Sequence, residues 1–157
     1  MVVASSSNRR LLLFNRSSPG SYNYNLVGSQ NVSCAYPHGL TYVNDNFFYL
    51  ISWGNNNVYT FSNSGNSSKW MEKLVLDLWS TTGSSDGNHV SVDECGRLWV
   101  SLGAFGVRIF DSQGFLRGTL KPLGLSVFDT LILPNYVIYT SGYDANDIRR
   151  IDPNIQC

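Results

Sequence analysis

The chain has 157 residues, of which 43% are hydrophobic and 14% charged, which allows one buried core beneath a sparsely charged surface. Eleven basic residues balance eleven acidic ones, so the chain lacks the net positive charge that attracts nucleic acid or an anionic membrane surface. No apolar run reaches the roughly 18 residues that span a bilayer, and the opening residues do not resemble a signal peptide, so we expect no membrane insertion and place any export signal outside this chain.

The first 34 residues predict three strands of one antiparallel sheet. Val2 to Ser5 and Leu11 to Phe14 are short aliphatic runs of the kind that form paired strands. Tyr24 to Val27 follows the turn Ser18-Pro19-Gly20, where glycine can adopt the positive φ of a tight hairpin. These runs correspond to the second, third and fourth strands of the unit that recurs further along, so we expect the chain to begin within such a unit.

Three later segments repeat one pattern: an extended run, a turn, an aromatic or β-branched strand, a polar loop and a third strand. They run from Pro37 to Phe61, from Asn88 to Phe110 and from Phe128 to Ile151. Fourth strands are predicted at Met71 to Leu78 and Leu116 to Leu120. The period of about 40 to 51 residues is typical of a β-propeller blade.

A constant spacing supports this alignment. The first-strand polar residue and the second-strand aromatic residue are ten positions apart in every unit: His38 and Phe48, His89 and Trp99, Asp129 and Tyr139. We expect the three aromatic residues to pack between adjacent blades. A jelly-roll or lectin-like sandwich is the alternative fold, but it does not explain the constant interval.

The predicted fold class is therefore all-β, a propeller of four-stranded antiparallel blades, with about three and a half blades in one partial domain. We place a partial blade at 1–34, whole blades at 35–86 and 87–125, and a second partial blade at 126–157. An incomplete ring leaves blade faces and a strand edge open. We therefore expect the chain to be a fragment of a longer propeller, completed by further blades, or to close the ring by self-association.

Three motifs carry a family resemblance. They are Pro37-His38-Gly39, the Val-Asp-Glu-Cys-Gly-Arg-Leu-Trp-Val stretch from Val92 to Val100, and Phe-Asp-Ser-Gln-Gly from Phe110 to Gly114. In these the chain resembles the NHL-repeat and gluconolactonase-like six-bladed propellers. The resemblance implies the fold more than the function, because one fold supports many activities. Gluconolactonase-like proteins hold a divalent metal with Glu, Asn and Asp side chains at the channel mouth, and of that set only Asp129 has a counterpart here.

Propeller geometry predicts one polar site. First strands line the central channel, so residues at one repeat position should converge near its mouth. On the alignment above these residues are His38, His89 and Asp129. Two imidazoles and a carboxylate could bind zinc or another divalent ion, or a polar ligand. The alternative is that they only satisfy neighbouring backbone groups and channel water; a divalent metal is thus left open, and no other cofactor is expected.

Three aromatic residues predict a contact surface on the same face. Trp53, Phe105 and Tyr143 all fall in the loop between the second and third strands of their units. Exposed aromatic rings on one rim suit a binding surface. The sequence therefore favours a non-catalytic scaffold that binds a protein or glycan through this rim, with no catalytic residues assigned. The alternative is a metal-dependent, lactonase-type hydrolase at the channel mouth.

Cysteines and glycosylation signals leave the compartment open. The three cysteines are Cys34, Cys95 and Cys157, and their spacing does not suggest a metal site. Cys34 is predicted on the face opposite the other two, so only a Cys95–Cys157 disulfide is compatible with the fold. Acceptor sequences for N-glycosylation begin at Asn15, Asn31 and Asn66.

Overall fold

The computed structural model describes residues 1–65, 69–83, 86–121, 124–144 and 146–152. Blade 1 is formed by β1 (Val2–Ser5), β2 (Arg10–Arg16) and β3 (Tyr24–Asn31). Blade 2 is formed by β4 (Pro37–Asn44), β5 (Phe47–Ser52), β6 (Asn57–Ser62) and β7 (Met71–Asp77). Blade 3 is formed by β8 (His89–Val92), β9 (Leu98–Ser101), β10 (Val107–Phe110) and β11 (Leu116–Leu120). Blade 4 is formed by β12 (Val127–Ile132), β13 (Ile138–Gly142) and β14 (Ile148–Ile151). A short helix α1 (Leu78–Thr82) and a 3-10 turn (Pro134–Tyr136) complete the described elements.

Each blade is an antiparallel sheet whose strands pair in chain order. The described blades contain three, four, four and three strands. The first strands β4, β8 and β12 lie side by side. The chain therefore folds as an all-β partial propeller, which confirms the predicted fold class. No helix among the described residues is long and apolar enough to cross a membrane.

The core consists of three apolar clusters, one between each pair of neighbouring blades. Phe48, Phe61 and Trp70 pack with Leu11 between blades 1 and 2. A second cluster joins blades 2 and 3, and a third, around Trp99, joins blades 3 and 4. Successive side chains of an inner strand point alternately to the preceding and the following blade. Both faces of these strands are therefore buried. The predicted packing of the second-strand aromatics between blades is confirmed for Phe48 and Trp99, which are 2% and 0% exposed.

In the hairpin of blade 3, hydrogen bonds to one side chain stabilise the Val92-Asp93-Glu94-Cys95-Gly96 turn. The Asp93 carboxylate accepts hydrogen bonds from the backbone N–H groups of Cys95 and Arg97, at 3.0 and 2.9 Å. Its other oxygen accepts from Arg97 Nε at 2.6 Å and from Trp99 Nε1 at 2.8 Å. Gly96 adopts φ 74°, the conformation that favours glycine at this turn. One buried carboxylate thus fixes both the turn and the core tryptophan.

Strand pairing corrects the repeat alignment by one residue in blade 2. Leu40, Val90 and Thr130 occupy the same position because they pair with Leu50, Val100 and Thr140. The residues just before them are Gly39, His89 and Asp129, so the predicted equivalence of His38 with His89 is wrong. The cause is that Tyr49, not Phe48, occupies the position of Trp99, since each lies one residue before Leu50 and Val100. The first strand of blade 2 also contains a β-bulge between Pro37 and Leu40 that inserts one extra residue.

The same bulge recurs in the other blades. In blade 4 the register shifts between Val127 and Asp129, which makes Phe128 the extra residue. In blade 3 the N–H of Asn88 donates to Ser101 O at 2.9 Å although His89 is the residue paired with Ser101. Because Ser101 is opposed by two residues, Asn88 is the bulged residue of blade 3. His38, Asn88 and Phe128 are therefore the true equivalents.

Two further expectations can be compared with the structure. The fourth strand of blade 2 ends at Asp77 rather than Leu78, because the Asp77 carboxylate accepts from Ser80 N at 3.1 Å and begins α1. Cys34 is a free, buried thiol, and burial raises its pKa to about 12. Cys95 is disulfide-bonded. Cys157, the one partner that the sequence left open for Cys95, and the sequon residue Asn66 lie outside the described residues.

Candidate functional site

A cavity of about 600 Å³ opens at the channel rim, where first strands begin and second strands end. We call it the rim cavity. Its walls combine aromatic rings with hydroxyl, amide, imidazole and carboxylate groups. The lining residues are Ser6, Tyr36, His38, Trp53, Asp86, Asn88, Ser126, Phe128, Tyr143 and Asp144.

Most of the rim cavity is built from three repeat positions. The first precedes the first strand, the second is the bulge, and the third follows the second strand. The first set is Tyr36, Asp86 and Ser126; the second is His38, Asn88 and Phe128; the third is Trp53, Gly103 and Tyr143. The same backbone hydrogen bond joins the outer positions of blades 2 and 4, from Trp53 N to Tyr36 O at 3.1 Å and from Tyr143 N to Ser126 O at 3.0 Å.

Blade 3 departs from its neighbours at the third position. Where blades 2 and 4 carry Trp53 and Tyr143, blade 3 has Gly103. A Cβ atom at Gly103 would lie 1.6 Å from Oδ2 of Asp86, so no other residue fits while that carboxylate keeps its place. The glycine therefore allows a carboxylate into the wall where the other two blades have rings.

Two aromatic pairs stand on the blades that flank blade 3. Tyr36 and Trp53 of blade 2 meet edge to face, with ring centroids 6.2 Å apart. Phe128 and Tyr143 of blade 4 stack with centroids 6.1 Å apart. Gly54 makes room for the first pair, because a Cβ there would lie 2.5 Å from Cδ2 of Tyr36. Trp53 and Tyr143 keep 51% and 74% of their surface exposed, so their rings are accessible to a ligand.

His38 is held in one tautomer by the backbone. Its Nδ1 lies 3.0 Å from the carbonyl oxygen of Asn88. A carbonyl can only accept, so Nδ1 carries the proton and Nε2 of the neutral ring is the nitrogen with a free lone pair. The ring also packs edge to face on Phe128, with centroids 5.6 Å apart. His38 thus presents a base to the cavity that it lines.

His89 and Asp129 form a separate pair on the channel wall, which we define as Gly39, His89 and Asp129. His89 Nδ1 donates to Asp129 Oδ1 at 2.7 Å, joining the first strands of blades 3 and 4. The hydrogen bond from His89 lowers the pKa of Asp129. A Cβ at Gly39 would lie 2.8 Å from Cδ2 of His89, so glycine makes room for this ring.

Hydroxyl groups beside the channel wall complete the contacts between first strands. Thr41 Oγ1 donates to the carbonyl of Val90, and Ser91 Oγ donates to the carbonyl of Thr130. Thr41 Oγ1 also lies 3.5 Å from His89 Nε2, and Ser91 Oγ lies 3.4 Å from His89 Nδ1. A second cavity, of about 330 Å³, is lined by this pair and its neighbours. His89 of blade 3 therefore contacts residues of both neighbouring blades, 2 and 4.

The three polar residues predicted to converge are therefore divided. His89 and Asp129 are in contact, whereas His38 lies one position away and faces the rim cavity. Among the described residues, no group of three or more His, Cys, Asp or Glu side chains is arranged to hold a metal ion. These residues do not fit the divalent metal that the family resemblance implies.

The predicted rim aromatics are divided as well. Trp53 and Tyr143 line the rim cavity, but Phe105 does not, because Gly103 takes the equivalent position and Phe105 lies in the turn that follows. Sequence reasoning missed Tyr36, Asp86 and Phe128. With the corrected register, Tyr36 and Asp86 lie four residues before Leu40 and Val90, and Phe128 lies two residues before Thr130, as His38 does before Leu40. These equal offsets are the signal that could have found them.

Comparison with known proteins supports the fold. No family model matches the chain, and no curated protein does. A solved structure of a gluconolactonase from Xanthomonas campestris is similar, with a TM-score of 0.57 at 16% identity. The similarity covers 90% of this chain and 52% of that enzyme, so this chain spans about half of its length. The relationship is one of propeller architecture.

Proposed function

We propose that the rim cavity binds a sugar-class lactone and that the protein is a lactonase-type hydrolase. The observation that carries the proposal is the rim cavity itself, which joins exposed ring faces to hydrogen-bonding groups and a base. Its volume of about 600 Å³ lies within the range of small-molecule sites. The fold similarity to a gluconolactonase supports the same class of substrate.

The lining residues suit both parts of such a substrate. The C–H face of a sugar ring can pack against Trp53 or Tyr143, since aromatic rings offer large apolar surfaces. Its hydroxyl groups can donate to the carboxylates of Asp86 and Asp144, and Asn88 adds an amide. The cavity can thus orient the ring and hold the lactone carbonyl near His38.

His38 is the residue that we assign to proton transfer. Nε2 takes a proton from a water molecule as the water oxygen bonds to the lactone carbonyl carbon. The tetrahedral intermediate then breaks its ring C–O bond, and the departing oxygen takes the proton back from Nε2. The products balance as one hydroxy acid from lactone and water. No step is routed through a metal, because the described residues do not form a metal site.

Hydrolysis of glucono-1,5-lactone by the 157-residue chain tests the proposal, followed with a pH indicator against the uncatalysed rate. We expect turnover that persists in EDTA and falls about 10²- to 10⁴-fold in His38→Gln, the range for loss of a general base. Phe105→Leu is the control, because this rim aromatic lies outside the cavity. Absence of turnover across a panel of sugar lactones would overturn the hydrolase proposal.

Recognition of a protein or glycan without chemistry is the second candidate. It is favoured by the exposure of Trp53 and Tyr143 and by the lack of a metal cluster among residues 1–65, 69–83, 86–121, 124–144 and 146–152. The two candidates differ in one measurement. Saturable glycan binding that is weakened by Tyr143→Leu, with no lactone turnover, would favour recognition over hydrolysis.

A further inference from the structure

We propose that the rim cavity also binds an organic ammonium group, a class of ligand beyond the neutral lactones of the proposed function. The charge of the residues that line the cavity favours a cation. The chain as a whole has equal numbers of acidic and basic residues. The described residues that line the cavity include the carboxylates of Asp86 and Asp144 but neither lysine nor arginine. A cation entering the cavity therefore meets net negative charge.

The arrangement of the aromatic rings in the cavity also favours a cation. Tyr36 and Trp53 come from blade 2, and Phe128 and Tyr143 come from blade 4. Blade 3 lies between them, because its first strand contacts the first strands of both neighbours. The negative face of an aromatic ring attracts a cation, most strongly when several rings share one desolvated site. Two aromatic walls with the carboxylate of Asp86 between them match an alkylammonium head group.

The position of Asp86 in the cavity wall favours a cation as well. Its carboxylate reaches the wall between the two aromatic pairs only because Gly103 has no side chain, since a Cβ there would lie 1.6 Å from Oδ2. Asp86 is half-buried, so its attraction for a cation is screened less than that of a fully exposed carboxylate. Asp144 adds a second, exposed carboxylate at the entrance.

One basic residue stands nearby and does not enter the cavity. The guanidinium of Arg9 lies over the ring of Tyr36, 6.0 Å from its centroid, and Arg9 is not among the lining residues. Tyr36 therefore already packs against one cation. Because Arg9 covers this ring, the aromatic contact that we assign to a ligand falls mainly to the other rings of the cavity.

Choline and its neutral isostere 3,3-dimethyl-1-butanol provide the direct test, since they share shape and differ in charge. Binding to the 157-residue chain is followed by ligand-observed NMR titration at low ionic strength and pH 7.5. We expect choline to bind at least about tenfold more tightly than the isostere, and the difference to shrink with added salt. Equal binding of the two, or no choline binding at 50 mM, would overturn the proposal.

Matched variants locate the site. We expect Asp144→Asn and Tyr143→Leu to weaken choline several-fold, whereas Phe105→Leu leaves it unchanged, because Phe105 is on the same rim but outside the cavity. Asp144 and Tyr143 are exposed, so these variants should fold, and circular dichroism checks this. Unchanged choline affinity in both cavity variants would also overturn the proposal.

The test is independent of lactone hydrolysis. His38→Gln keeps both aromatic pairs and both carboxylates, so it should retain selectivity for choline while losing any turnover. Selective choline binding without hydrolysis of any lactone would remove only the hydrolase proposal. Turnover of neutral lactones without selectivity for choline would remove only the cation site.

Discussion

The rim cavity and the channel wall are one residue apart along the first strands, yet their side chains do different things. At the rim, the bulged positions carry His38, Asn88 and Phe128, which face a cavity. On the wall, the next positions are occupied by residues that contact one another across blades. A single register step therefore separates residues available to a ligand from residues that hold the blades together.

The two histidines illustrate the difference between the rim cavity and the channel wall. His38 uses Nδ1 to bind a backbone carbonyl and keeps Nε2 for the cavity. His89 has Asp129 and Ser91 near one nitrogen and Thr41 near the other. We therefore expect substitutions on the wall to change stability and substitutions at the rim to change binding.

The largest expected effect is that of Gly39→Ala. The added Cβ would lie 2.8 Å from both Asn88 O and His89 Cδ2, so the first strands of blades 2 and 3 must separate. We expect the free energy of unfolding to fall by about 1–3 kcal/mol, as for other overpacked contacts. Urea unfolding measures this, with Gly28→Ala as control, since its nearest neighbour is 3.8 Å away. Equal stability of the two variants would contradict the role assigned to the wall.

A smaller effect is expected from exchanging the histidines in turn. His89→Gln should lower the free energy of unfolding by about 1 kcal/mol or less, because the Asp129 side chain that it pairs with is 53% exposed. His38→Gln should leave stability within about 0.5 kcal/mol while reducing lactone turnover. Urea unfolding and the lactone assay on both variants give the result. If His38→Gln were the more destabilising variant, the distinction between rim and wall would fail.

The smallest effect concerns pH. The hydrogen bond from His89 lowers the pKa of Asp129 below its ordinary value of 3.8. The stability that this pair adds is therefore complete above pH 3.8 and is lost as the pH falls through the lowered pKa. Unfolding free energies of the wild type and Asp129→Asn should differ by less than about 1 kcal/mol at pH 6, and this difference should shrink as the pH falls below 3.8. A constant difference between these pH values would argue against the pair.

Much of the fold could be predicted from the sequence because strands, turns and spacing repeat together. The Val-Asp-x-x-Gly turn and the buried Trp99 illustrate this, since Asp93 connects them physically. The register of blade 2 could not be predicted, because Phe47, Phe48 and Tyr49 are successive aromatic residues and composition does not show which one is equivalent to Trp99. A one-residue shift turns each strand side chain to the other face, so matching Phe48 instead of Tyr49 put His38 in the position of Gly39.

The candidate site was predicted only in part for the same reason. Trp53 and Tyr143 could be found because they follow second strands at equal offsets. Phe105 was chosen as their equivalent because it is the aromatic residue of its loop, but the position belongs to Gly103. An aromatic pattern cannot reveal a place where a missing side chain admits a carboxylate, and Asp86 was overlooked with it.

The recurring bulge has a consequence for how such a cavity changes. A bulged residue is left out of the strand ladder, so His38, Asn88 and Phe128 can be exchanged with little disturbance of the hydrogen bonds that hold their sheets. Blades 2, 3 and 4 thereby each contribute one replaceable side chain to the rim cavity. A new ligand preference can be assembled blade by blade while the apolar layers between blades remain as they are.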